Sequence, residues 1–233
     1  MFENVLSRED NRRYSLSQHE LERRWKAVRE RMAAKGISHL VVQSQQRFVG
    51  GYFRWFTDLP GNNYHITAVF PLDEDMTIIG HGAPAPAAPA TPPEWAMRGV
   101  KERINTPAFP NVWWEDAWDA EKAVAVIQRR KPGTVGLVGL GNMSAALYEN
   151  LKKGLQGVNV VNATDLVDEV RMVKSEEEIK LHRDAAYLHE MSLEVAKKAI
   201  RPGRTVGEGA EEIRHAQVLA GSEEQQINIA FGQ

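Results

Sequence analysis

At 233 residues the chain is long enough for one large domain or two small ones with an ample core. Its 29 Lys and Arg against 31 Asp and Glu leave a net charge of -2, and no basic stripe is available to neutralise phosphates, which argues against a general nucleic-acid binder. With 0 cysteines, disulfides, thiolate metal sites and a cysteine nucleophile are excluded, and a cytoplasmic protein is expected. The polar N-terminus does not read as a signal peptide, and no apolar run approaches the roughly 18 residues of a membrane span.

Residues 1–16 read as an irregular arm. Ser17-x-x-Glu20 is a capping box that opens a helix carrying Leu21, Trp25, Val28 and Met32 on one face, with Gly36 as its C-cap. His39–Gln43 then reads as a buried strand. Tyr64–Pro71 and Met76–Ile79, joined by Asp73-Glu74-Asp75, predict a β-hairpin. The run Ala83–Pro93 (APAPAAPATPP) cannot continue a sheet and is expected to be an extended surface loop. Beyond it a strand is predicted over Asn111–Trp114 and a helix over 119–130. A strand at Thr134–Leu140, a helix at 144–154 and a strand at Val158–Val161 follow. This alternation predicts an α/β fold with a mixed sheet flanked by helices.

From Asp165 the composition turns charged and helical, which places a boundary near residue 163 and divides the chain into 1–162 and 163–233. Ser175 and Glu178 form a second capping box, and Glu176 and Glu177 add negative charge at the helix N-terminus. The predicted helix runs to Ile200 and is stopped by Pro202-Gly203. Thr205-x-x-Glu208 starts another helix that ends at Gly221, and the alternation of Ile227, Ile229 and Phe231 predicts a last strand.

Several local patterns suggest chemistry and are better read otherwise. Gly139-Leu140-Gly141 follows a strand and precedes a helix, as a dinucleotide-binding turn does. Ser144 replaces the third glycine, however, and Asn162 stands where an acid would meet the ribose, so an ordinary βαβ turn is preferred. His182-Arg183-Asp184 spells a kinase catalytic-loop tripeptide inside a helix, with His189 where asparagine is required. His189-Glu190 lacks the second histidine of a zinc motif at Leu193. His182 and His189 stand two turns apart, about 10 Å along the axis, too far to share a metal directly, and are read as partly buried structural histidines.

The segment Phe48–Phe56 (FVGGYFRWF) concentrates aromatics around paired glycines and one arginine. Two readings stand side by side: a strand and turn that packs its aromatics, or a ligand-facing surface. In the second, Arg54 holds a carboxylate bidentately while Tyr52 or Trp55 lines a pocket or faces a cation.

Arg171, Lys174, Ser175, Glu178 and Ile179, then Ala185-Ala186, then Arg201-Pro202-Gly203, resemble the start of the catalytic domain in the creatinase/prolidase/aminopeptidase P family, the pita-bread metalloenzymes of peptidase family M24. There the segment reads approximately R-x-I/V-K-S-x-x-E-I, a helix, then R-P-G-x-T/S. Phe48–Tyr52 resembles that family's N-terminal Y-L-T-G-F segment, with Gly50 in place of the hydroxyl residue.

The resemblance implies a creatinase-like N-terminal domain over 1–162, then the linker and opening helices of an incomplete pita-bread α+β domain. It implies a homodimer in which Tyr52, Arg54 and Trp55 reach a partner's active site, with His65 a weaker candidate. The substrate would be a small peptide with an amide preceding proline, or a small charged metabolite such as creatine. Two divalent metals (Mn, Co or Zn) serve the intact parent, but their aspartate, histidine and glutamate ligands lie beyond the strand starting at Ile227. This chain is therefore expected to be a fragment, catalytically silent, with no catalytic or metal-binding residue of its own. Dimerisation or disorder is expected beyond residue 175, where helices would lack their sheet. The alternative is a non-catalytic α/β binding or regulatory module that self-associates.

Overall fold

The computed structural model describes residues 15–44, 51–59, 64–82, 94–107, 114–222 and 227–229. The arm over 1–14 and the proline-rich run Ala83–Pro93 lie outside these residues. The described residues divide into two compact units, one over Ser17–Val173 and a second that takes in those from Lys174 onward.

The first unit begins with α1 (Gln18–Ala34), whose Ser17 Oγ accepts the Glu20 amide at 3.1 Å. The Glu20 carboxylate pairs with Arg23 and Arg24. The strands are β1 (Ile37–Gln43), β2 (Thr67–Pro71), β3 (Met76–His81), β4 (Val100–Thr106), β5 (Thr134–Val138) and β6 (Val160–Asn162). They form one sheet in the order β4-β3-β2-β1-β5-β6. β1 pairs antiparallel with β2, and β2 with β3, whereas β3–β4, β1–β5 and β5–β6 are parallel. The mixed sheet expected from the alternation of elements is present.

The helices α2 (Gly51–Thr57), α3 (Trp114–Gln128), α4 (Ala145–Gly154) and α5 (Thr164–Met172) complete this unit. Side chains alternate across each strand, so the sheet has two apolar faces. On one, Val41, Val69, Ile79, Val135 and Leu137 pack with Ala120, Ala123 and Ile127 of α3 and Leu147 and Leu151 of α4. The other carries Phe70, which meets Phe56 of α2 and lies under the Arg29 guanidinium of α1. Leu166, Val167 and Val170 of α5 are also buried. The packing of α5 carries the first unit to Val173, one helix beyond the boundary placed near residue 163.

Three local expectations change. Gly51–Thr57 is a helix, not a strand and turn, because Phe53, Phe56 and Thr57 share a buried face at helical spacing. Trp114 opens α3, while the rest of the strand predicted at Asn111–Trp114 lies outside the described residues. β4 was not foreseen, since its sequence VKERINT carries three consecutive charged residues, Lys101 to Arg103, as suits a sheet edge.

In the second unit α6 (Glu176–Ala199) and α7 (Val206–Leu219) form a helical pair. Both open on complete capping boxes, Ser175 with Glu178 and Thr205 with Glu208. Ser192 and Ala199 of α6 and Gly209 and Ile213 of α7 are buried, and Gln217 Nε2 donates to Ser192 Oγ at 3.0 Å. His182 and His189 are exposed, contrary to the partly buried histidines expected, because their stripe of α6 is uncovered. Ile227–Ile229 is not a strand, and Phe231 lies outside the described residues.

Candidate functional site on helix α2

A helix of seven residues does not hold together unaided, because nucleation fixes several dihedrals for each hydrogen bond gained. α2 is instead mounted by its neighbours. Its last carbonyls, which have no partner within the helix, accept hydrogen bonds from consecutive residues of α1. Arg24 Nη1 donates to Trp55 O at 2.9 Å and Trp25 Nε1 to Phe56 O at 2.8 Å. Arg24 is itself held by the buried Glu20 carboxylate at 2.7 Å. Thr57 Oγ1 donates to Phe53 O at 2.8 Å and accepts the Leu59 amide at 3.1 Å. The chain then turns through Asp58 at φ 54, a left-handed residue whose carboxylate pairs with Arg98.

Tyr52, Arg54 and Trp55 thus occupy one short helix but do not converge. Two positions apart means about 200° around a helix, so Tyr52 and Arg54 leave α2 on opposite sides. The Tyr52 hydroxyl donates to both carboxylate oxygens of Asp168 at 2.9 Å, and the Arg171 guanidinium lies 4.4 Å from its ring centroid. Burial, then the Asp168 carboxylate, hold this phenol above the ordinary tyrosine range. Trp55 is only 8% exposed; it meets Phe56 edge-on at 5.3 Å and carries the Arg24 guanidinium over its ring at 5.0 Å. Its indole Nε1 is buried with no acceptor among the described residues. Arg54 is half-buried, and so is His65 just before β2.

The turn after β5 resolves the dinucleotide question. Gly139 adopts φ 72, and the Thr164 hydroxyl accepts the Gly139 amide at 3.0 Å and the Leu140 amide at 3.4 Å. A phosphate would need those same amides. The turn is internally satisfied, which agrees with the ordinary βαβ reading.

Sequence reasoning missed one buried polar cluster. Asp119 of α3 is fully buried, and its carboxylate accepts Thr67 Oγ1 at 3.1 Å and Thr106 Oγ1 at 3.2 Å. His81 Nε2 lies 3.6 Å from Asp119 Oδ2, with both side chains fully covered. The cluster ties α3 to β2, β3 and β4. Its members are scattered along the chain, so no local spacing announced it. Among the described residues no group of three or more His, Cys, Asp or Glu is placed to hold a metal ion. The two divalent metals implied by the resemblance therefore do not fit the described residues, and no metal step is derived for them. No helix among them is long and apolar enough to cross a membrane.

The fold defines a three-layer α/β domain with a mixed six-stranded sheet, followed by a helical unit. The chain belongs to the creatinase/prolidase N-terminal domain family, which matches residues 24–173 and ends where the first compact unit ends. An uncharacterized hydrolase/peptidase of Sinorhizobium fredii is 29% identical over 200 residues, 85% of this chain and 47% of that protein. The dipeptidase PepE of Mycobacterium ulcerans shares the fold with a TM-score of 0.55 at 18% identity, covering 88% of this chain and 51% of that one. The prolidase of Pyrococcus furiosus does so with a TM-score of 0.57 at 17% identity, covering 85% and 54%. The chain thus spans about half the length of these relatives.

Proposed function

We propose that this chain is the N-terminal, substrate-selecting and dimer-forming portion of a dinuclear-metal hydrolase of the M24 type, catalytically silent by itself and working in the cytoplasm. The observation that carries the reading is the family match over 24–173, in a chain spanning about half of its hydrolase and dipeptidase relatives. In this reading the metals (Mn, Co or Zn) and the hydrolytic chemistry belong to the rest of the parent. The substrate is an Xaa-Pro peptide or a small charged metabolite. Arg54 is the contact we assign to a substrate carboxylate, since a guanidinium fork matches that group bidentately. Tyr52, engaged by Asp168, and Trp55, buried in the core, are assigned no substrate contact in this reading.

Calorimetric titration of the chain with glycyl-proline and with creatine tests this. Binding of either one, weakened at least about tenfold in Arg54→Ala, is the expected outcome for a charged hydrogen bond worth about 1.5–3 kcal/mol. No binding of either compound at millimolar concentration would falsify the substrate-selecting assignment.

A second reading, a self-associating module without catalysis, is favoured by one observation. Tyr187, Leu193, Ile200 and Leu219 leave apolar surface uncovered on the second unit. Sedimentation equilibrium separates the two. Dimerisation that survives removal of residues 174–233 supports the first reading, and dimerisation abolished by Leu193→Asp supports the second.

A further inference from the structure

Tyr52 is held on its hydroxyl and on its ring by a single ion pair one helical turn apart on α5. Asp168 receives the hydroxyl on both oxygens at 2.9 Å, and Arg171 Nη1 stands 3.3 Å from Asp168 Oδ1 while its guanidinium covers the phenol ring. Of the glycines nearby, Gly139 is the one this arrangement requires. A Cβ on Gly139 would lie 2.8 Å from Tyr52 Cδ2, and Gly139 also keeps a left-handed φ of 72. A Cβ on Gly51 would meet Arg171 Nη2 at 3.5 Å. Helix α2, the turn after β5 and helix α5 therefore converge on one tyrosine.

A ligand group seeking that hydroxyl would have to displace an ionised acceptor, and hydrogen bonds to an ionised partner are roughly twice as strong as neutral ones. The first turn of α2 needs an anchor of this kind. Its far end is fixed by Arg24 and Trp25, and because a helix this short is marginal by itself, contacts at its first turn matter as well. We propose that Asp168 and Arg171 clamp Tyr52 and so set the pose of α2, making Tyr52 a positioning residue for Arg54 rather than a ligand contact. Arg54 lies between the two mounts. The functional consequence rests on the reading of Arg54 given above; the clamp does not.

The test uses the full chain labelled with nitrogen-15. The Trp55 indole N–H, assigned by its loss in Trp55→Phe, reports the pose of α2. Asp168→Asn and Tyr52→Phe are each expected to move this resonance while the unfolding transition stays cooperative. Asp168 is substantially exposed, so its substitution leaves the core intact. The Tyr52 ionisation, followed by ultraviolet absorbance, supplies a signature that general loosening does not. Asp168 pushes it up and Arg171 pulls it down, so Asp168→Asn lowers it and Arg171→Gln raises it.

If the chain binds glycyl-proline or creatine, Asp168→Asn weakens that binding roughly 5- to 10-fold, within the usual range of coupling between sites. An indole resonance unmoved by both substitutions, or tyrosine shifts of the same sign, overturns the clamp whether or not a ligand binds. Absence of ligand binding, with the resonance and ionisation shifts as expected, sinks the assignment of Arg54 and supports the clamp.

Discussion

Among the described residues of the first unit, the large apolar side chains left exposed are Met172 and Val173, at its very end. The second unit is built from helices with better local signals, yet Tyr187 is 68% exposed, Leu219 62% and Leu193 57%. Caps and dipole charges specify where a helix starts and stops; α6 has a capping box and charges of the right sign at both ends, and α7 has a capping box with Glu208 in its first turn. They do not supply a core. The sheet does that in the first unit, by offering two broad faces to amphipathic helices.

The contrast is sharpest in side-chain deletions. Phe56→Ala removes a fully buried ring whose centroid lies 5.0 Å from that of Phe70. It is expected to cost about 3–5 kcal/mol in denaturant unfolding. Leu193→Ala, on the exposed stripe of α6, is expected to change stability by about 0.5 kcal/mol or less. Comparable losses from the two would remove the distinction between the units. An intermediate effect is assigned to the cap of α6. Ser175→Ala deletes the acceptor of the Glu178 amide and should cost about 1 kcal/mol. It would be seen as faster amide exchange in the first turn of α6 with α1 unchanged, and protection lost equally in both helices would contradict a local role for the cap.

The smallest effect concerns acid. Burial holds the His39 imidazole below its ordinary value of 6.5, since the folded state resists a proton that the unfolded chain accepts. The folded pKa is the lower one, so this destabilisation is absent above about pH 6.5 and grows as pH falls below it. His39→Gln is expected to flatten the acid side of a stability–pH curve for the first unit. An unchanged slope would mean that other groups carry it.

Much of the frame was legible in the sequence because it rests on local patterns. The runs HLVVQ, YHITAVFP and TVGLV announced β1, β2 and β5, and the boxes at Ser175 and Thr205 fixed the starts of α6 and α7. β4 escaped because an edge strand carries charge where a central one carries valine. α2 escaped because its stability comes from Arg24 and Trp25, 31 residues away in sequence. The candidate site was legible in the same uneven way. Tyr52, Arg54 and Trp55 stood out by composition, but Asp168, the partner that decides what Tyr52 does, is 116 positions distant. The indole of Trp55, open to a ligand in one sequence reading, is turned into the core.

The rims of the sheet bear on how copies of this chain can meet. At one rim β4 sets Lys101, Arg103 and Asn105 along its length, and Glu102 is engaged by Arg129, just past the end of α3. At the other, β6 offers three residues. Charged or very short border strands are poor templates for backbone pairing. Growth of the sheet from one molecule into the next is therefore discouraged in both directions, and any pairing of copies falls to helix surfaces and their side chains.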